Sequence, residues 1–100
     1  KAPYVTPLRA TVTRRHTTRL NYAVFDDSGK TRERLAIRDS GGRVLASWST
    51  PLRPTSPTKT YSVVWRVPAA APKRARFCIA AYDPSGNHQA PKCAAVTVRG

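Results

Sequence analysis

The side chains with chemistry to offer are few, and their spacing decides what they can do. The chain holds two His, five acids and two Cys in 100 residues. His16 stands between Arg15 and Thr17, and His88 follows a turn sequence. Neither belongs to a motif that pairs a nucleophile with a histidine base. All four Asp fall in turn sequences: Asp26-Asp27-Ser28-Gly29, Asp39-Ser40-Gly41-Gly42 and Asp83-Pro84-Ser85-Gly86. There an Asp accepts backbone N–H bonds and a Gly supplies positive φ. The fifth acid, Glu33, is flanked by Arg32 and Arg34. Hydrolysis by two carboxylates needs a pair converging on one cleft, and these positions offer none. Two Cys and two distant His lack the spacing of zinc ligands. The Asp-rich turns could offer oxygens to Ca²⁺, but a net charge of +13 opposes it. No glycine-rich phosphate loop is present. These residues predict no catalytic group, no metal and no cofactor, hence no enzyme.

Cys78 and Cys93 are the exception. They lie in two alternating segments on either side of residues 83–87. In an antiparallel hairpin centred between Ser85 and Gly86 they stand directly opposite each other. Phe77, Ile79 and Ala81 take one parity and Ala94, Val96 and Val98 the matching one, so both Cys face outward. A cross-strand disulfide is expected, worth about 3 kcal/mol by the chain-entropy model. If Gly86 closes a type I turn with a bulge, the register slips by one. A second irregularity near Pro91 must then restore the match. Two free thiols are the alternative. A disulfide implies an oxidising compartment: secreted, periplasmic or cell-surface.

Charge is the other conspicuous property. Thirteen Arg and five Lys face four Asp and one Glu. Parity sends Arg34 and Arg38 outward, with Arg32 just before them, and does the same for Arg74, Arg76 and Tyr82. Lys92 falls near the same edge. If their strands are neighbours, these side chains form one basic face, a candidate site for an anionic polymer such as nucleic acid, a cell-wall polymer or a sulfated glycan. The plain alternative is a solvated face reflecting a bias toward Arg and Ala. The sequence lacks the interleaved exposed aromatics of single-strand readers. Trp65 and Tyr61 have core parity. Trp48 shares parity with Val44 and Ala46 while Leu45 competes for the inside. An exposed Trp48, with Tyr82, is a candidate partner anchor; a half-buried edge Trp is the alternative.

The elements that must position these groups follow from periodicity. Seven short segments alternate in polarity, at residues 8–12, 20–24, 35–37, 44–48, 61–67, 75–81 and 94–98. Period two marks strands with one buried face, and no window sustains a helical period. Nine Pro and five Gly punctuate the chain. Residues 51–57 are too Pro-rich for a paired strand, and residues 68–72 could hold one helical turn. Seven strands with turn signals every ~8–12 residues predict an all-β, seven-stranded antiparallel β-sandwich with Greek-key connections. In an immunoglobulin-like topology the third, sixth and seventh strands share one sheet, and the first, second and fifth share the other. The fourth may take either edge. Length predicts one domain over residues 1–100. With no Met and no signal-peptide core, the chain is expected to be an excised part of a longer protein. No run of ~18 apolar residues is present to span a membrane as a helix.

Three stretches carry a resemblance. Tyr22-Ala-Val24-Phe-Asp26-Asp-Ser-Gly29 resembles a strand and turn of bacterial immunoglobulin-like domains. Leu35-Ala-Ile37-Arg-Asp39-Ser-Gly-Gly42-Arg-Val44 resembles the hairpin of the immunoglobulin-like module in flagellar hook-capping proteins. Ala75-Arg-Phe77-Cys-Ile79-Ala-Ala81-Tyr-Asp83-Pro-Ser-Gly-Asn87 is similar to a strand signature of the same group. Immunoglobulin-like and fibronectin type III modules of this kind serve as spacers, adhesion units or accessory domains of secreted bacterial proteins. The resemblance implies a non-catalytic module, monomeric in isolation, whose partners are neighbouring domains or another protein. The Cys pair departs from the inter-sheet bridge of antibody domains. The alternative function is polyanion binding through the basic face.

Overall fold

The computed structural model describes residues 3–100. Among the described residues, nine strands build two packed sheets: β1 (Tyr4–Pro7), β2 (Ala10–Thr13), β3 (Thr17–Phe25), β4 (Lys30–Asp39), β5 (Val44–Ser49), β6 (Arg53–Pro54), β7 (Tyr61–Arg66), β8 (Arg74–Tyr82) and β9 (Lys92–Arg99). The smaller sheet has the order β1-β3-β7. The larger runs β2-β9-β8-β4-β5, with β6 pairing β4 beside it. The chain crosses between sheets after β1, β2 and β3, again before β7, and after β7. The fold is the expected all-β sandwich, and the fourth sequence segment, β5, forms an edge of the larger sheet.

Alternation builds the core directly. Leu20, Tyr22 and Val24 of β3 face Leu35 and Ile37 of β4, Phe77 and Ile79 of β8, and Val96 and Val98 of β9, all nearly or wholly buried. Trp65 closes the β7 side, and Tyr61 is half-buried with its ring centroid 6.0 Å from that of Tyr22. Burying each large apolar side chain contributes roughly 1.5–3 kcal/mol.

Three local features depart from a plain reading of alternation. The first strand is split. Residues 4–7 pair β3, whereas β2 crosses to the larger sheet and runs parallel to β9, Ala10 beside Val96. The switch follows Leu8, whose N–H still donates to the Asn21 carbonyl, while Pro7 sits on an edge strand at a position that needs no N–H toward β3. Residues 8–12 were expected to join the second and fifth segments; residues 10–12 lie in the other sheet instead. In β5 the register with β4 shifts between Ile37↔Ala46 and Arg38↔Val44. Leu45 is the extra residue, and both Leu45 and Ala46 pack against the core. That bulge resolves the rivalry for the inside. The Pro-rich segment 51–57 is mostly irregular, yet Arg53 and Pro54 do pair with Thr31 and Lys30. Residues 68–72 close with an Ala71 N–H to Pro68 carbonyl bond and form no helix.

The Asp turns behave as expected. Asp83 Oδ1 accepts from the Ser85 and Asn87 backbone N–H groups, and Oδ2 accepts from the Asn87 side chain. Donation from Asn87, helped by the backbone bonds, holds the Asp83 carboxyl below the ordinary carboxylate range. Gly86 has φ 87°, where a side chain would be strained. The register slip at this turn occurs: Tyr82 bridges His88, while Ile79 faces Lys92. Three steps on one strand match four on the other, and the extra residue lies in 89–91. The second irregularity near Pro91 thereby restores Cys78 to a position directly opposite Cys93.

Candidate functional site

The larger sheet turns one face to the core and the other to solvent, and the solvent face gathers most of the candidate residues. Cross-strand pairs of the sheet share a face. Arg32 stands opposite Tyr82, Arg34 opposite Ala80, Ala36 opposite Cys78 and Arg38 opposite Arg76, while Arg74 faces Thr97. From β5, Ser49 stands beside Arg34 and Ser47 beside Ala36. A central row therefore runs across the strands through Ser47, Ala36, Cys78 and Cys93, all small. Arginines rise on both sides of it. Arg34 and Arg38 are four residues apart on β4, about 13 Å at ~3.3 Å per residue. The result is an open trough of about 790 Å³ with a small-residue floor and basic walls.

The disulfide forms part of that floor. Cys78 and Cys93 are bonded, with Cα atoms 4.0 Å apart, and no described cysteine is free. Cys78 itself is buried on the outer face. The bridge ties β8 to β9 in the register that brings the trough residues together.

The face is electrostatically one-sided. Arg34, Arg74 and Arg76 are exposed, and no ion pair among the described residues involves any of them. Arg38 donates to the Gly42 carbonyl at 2.9 Å, which leaves most of its donors outward. At one end the Arg32 guanidinium lies 4.4 Å from the centroid of the Tyr82 ring, and His88 packs on the same ring at 4.8 Å. Arg38 and Arg76 are direct cross-strand partners, an arrangement of like charges that destabilises a sheet.

Two candidates do not share the arginine face, although Trp48 lines one margin of the trough. Lys92 stands opposite Ile79, on the inner parity, and its ammonium sits 5.9 Å from the Tyr4 ring centroid on β1. It does not share the arginine face. Trp48 pairs with Leu35, so its ring faces inward and packs half-buried against the core. His16 and His88 sit on separate loops, after β2 and after β8.

A polar group inside the sandwich has no counterpart in the sequence-based candidates. Glu33 is wholly buried at the start of β4. Its carboxylate accepts from the Tyr22 hydroxyl at 2.8 Å, from Thr31 Oγ1 at 2.8 Å and from Arg53 Nη2 at 2.8 Å. The Arg53 guanidinium also lies 4.6 Å from the Tyr61 ring centroid. Burial first, then the bond to Glu33, push the Tyr22 hydroxyl well above its ordinary value of 10.0. Thr50 Oγ1 accepts from the Glu33 N–H, so the network clamps the 50–56 crossover against β4. The signal was present: Glu33 has the parity of Leu35 and Ile37, and only its charge argued against burial.

No protein-family model and no curated protein matches the sequence. A solved structure does match. The chain is similar to the fibronectin(III)-like modules of CbhA from Clostridium thermocellum, with 17% identity and a TM-score of 0.65. The match covers 98% of this chain and 47% of that one, so the chain spans about half the length of the structure it resembles. The fold is a fibronectin type III-like, immunoglobulin-like β-sandwich. The resemblance read from the three sequence stretches holds at this level. The sandwich carries a disulfide, and no described helix is long and apolar enough to cross a membrane.

Proposed function

We propose that this sandwich is a non-catalytic accessory module of an exported protein, acting as a rigid spacer. The observation that carries the reading is the position of its two ends. Tyr4 pairs with Phe25, at the end of β3. Arg99 pairs with Thr13, and its carbonyl accepts from the Arg14 N–H just before β3 begins. Entry and exit therefore lie at opposite ends of β3, in a body whose longest extent is 41 Å. Modules built this way transmit a fixed separation from one end to the other. The disulfide supports export. The acids support a non-catalytic role: Asp39 and Asp83 are engaged by their own turns, and Glu33 is sealed under Tyr22 and Arg53.

The test is replacement within the protein that carries the chain. Exchange for an unrelated β-sandwich of equal length, with ends at opposite poles, is expected to preserve the separation of the flanking parts measured by solution scattering. A flexible Gly/Ser linker of the same residue count is expected to lose it. A linker that preserves both the separation and the parent protein's activity overturns the spacer reading.

A further inference from the structure

We propose that the trough on the outer face of the larger sheet binds a linear, non-aromatic polymer bearing sulfate or phosphate groups, laid across the strands. The inference is independent of the spacer reading.

Three observations point to such a ligand. The first is an uncompensated cost. Arg38 and Arg76 are direct cross-strand partners, and the carboxylates that could relieve them are elsewhere. Glu33 is buried inside the sandwich, and Asp26, Asp39 and Asp83 hold turns. An oxyanion between the two guanidiniums converts that repulsion into paired, charge-assisted hydrogen bonds. The second is shape. The floor of Ser47, Ala36, Ala80 and the Cys78–Cys93 bridge is low because those side chains are small. Arg34 and Arg38 line the trough from opposite sides, with Arg76 beside Arg38 across the strands, and can then grip one chain from both sides. A spacing of about 13 Å between the walls suits a single polymer strand and is too narrow for a duplex to sink between them. The third is that the two aromatic side chains lining the trough, Tyr82 and Trp48, are already engaged. Tyr82 is engaged by Arg32 and His88, and Trp48 packs against the core. Binders of single-stranded nucleic acid rely on bases stacking upon aromatic rings. This face recognises charge without bases. Arginine's planar fork matches tetrahedral oxyanions, so sulfate and phosphate are equally suitable, and the choice between them lies with the polymer.

The experiment is a titration of the oxidised chain with three end-labelled polymers, followed by fluorescence anisotropy at two salt concentrations. The polymers are heparin, poly(glycerol phosphate) and oligo(dT). Two variants lose the same charge: Arg34→Gln/Arg38→Gln/Arg76→Gln in the trough, and Arg19→Gln/Lys59→Gln/Arg66→Gln away from it. Heparin, poly(glycerol phosphate) or both should bind with affinity that falls steeply with salt. The trough variant should lose about tenfold or more, and the control less than about twofold. Whichever polymer binds identifies the oxyanion source. Equal loss in both variants overturns the site, because net charge alone then explains the binding. Oligo(dT) binding at least as tight as either of the other two overturns the ligand class, and no binding at all overturns the proposal. If the triple trough variant does not fold, Arg34→Gln alone decides, with a loss of about threefold or more expected and an unchanged affinity contradicting the site.

Discussion

At the scale of single residues, the buried group around Glu33 governs more of the fold than any surface charge. Removing Arg53 leaves the Glu33 carboxylate in the interior without its cation. Arg53→Met is expected to cost about 3 kcal/mol, read as a shift in the urea midpoint at unchanged slope. A cost below about 1 kcal/mol shows that the pair behaves as a surface ion pair. Tyr22 gives a second, pH-dependent check. Its folded-state pKa lies above the ordinary value of 10.0, chiefly through burial. Below about pH 10 the hydroxyl is protonated in both states and no stability is lost. Above it the unfolded chain ionises while the folded chain resists, so stability falls as pH rises past 10. Tyr22→Phe is expected to be less stable at pH 7 by about 1 kcal/mol, and to show a shallower decline above pH 10. Parallel alkaline declines for the two proteins contradict the buried hydroxyl bond.

At the scale of elements, alternation makes the sheet faces legible in the sequence. Phe77 and Ile79 inward and Arg74, Arg76 and Cys78 outward follow from period two, and the structure follows that pattern. The arginines of β4 and β8 could be placed on one face for the same reason. Features that break the period were not legible. The Leu45 bulge depends on how β5 fits beside β4 at the sheet edge. The split of the first strand depends on which sheet has an edge free to take residues 10–13. Lys92 lies near the basic edge in sequence, yet its parity points inward toward β1. The buried role of Glu33 is hidden because a charge is an unusual core residue, and its partner Arg53 lies 20 residues away. The β8–β9 hairpin carries the prediction for this scale. Reduction of the Cys78–Cys93 bridge, separated by 15 residues, should lower stability by about 3 kcal/mol. The β-sheet circular dichroism should stay intact at low denaturant. Equal stability with and without reductant contradicts a bridge that constrains the unfolded chain.

At the scale of the whole molecule, a net charge of +13 is arranged as well as abundant. The acids that could balance it are held in turns or inside the sandwich, so the larger sheet presents unneutralised arginines around a shallow trough. Such a face costs stability when empty. Arg76→Gln is expected to raise stability at low salt by about 0.5 kcal/mol, with the gain vanishing near 1 M salt as screening removes the Arg38 repulsion. A variant less stable at both salt concentrations means that Arg76 is there for packing. The most direct measurement is residue by residue. Backbone amide NMR shifts are recorded while a short sulfated oligosaccharide is added to the oxidised protein. The perturbed amides are expected to cluster at Arg34, Ala36, Arg38, Arg76 and Cys78, with β3 and β7 silent. Shifts centred on Arg19 and Arg66, or spread evenly over the surface, contradict a trough built to hold an anionic chain.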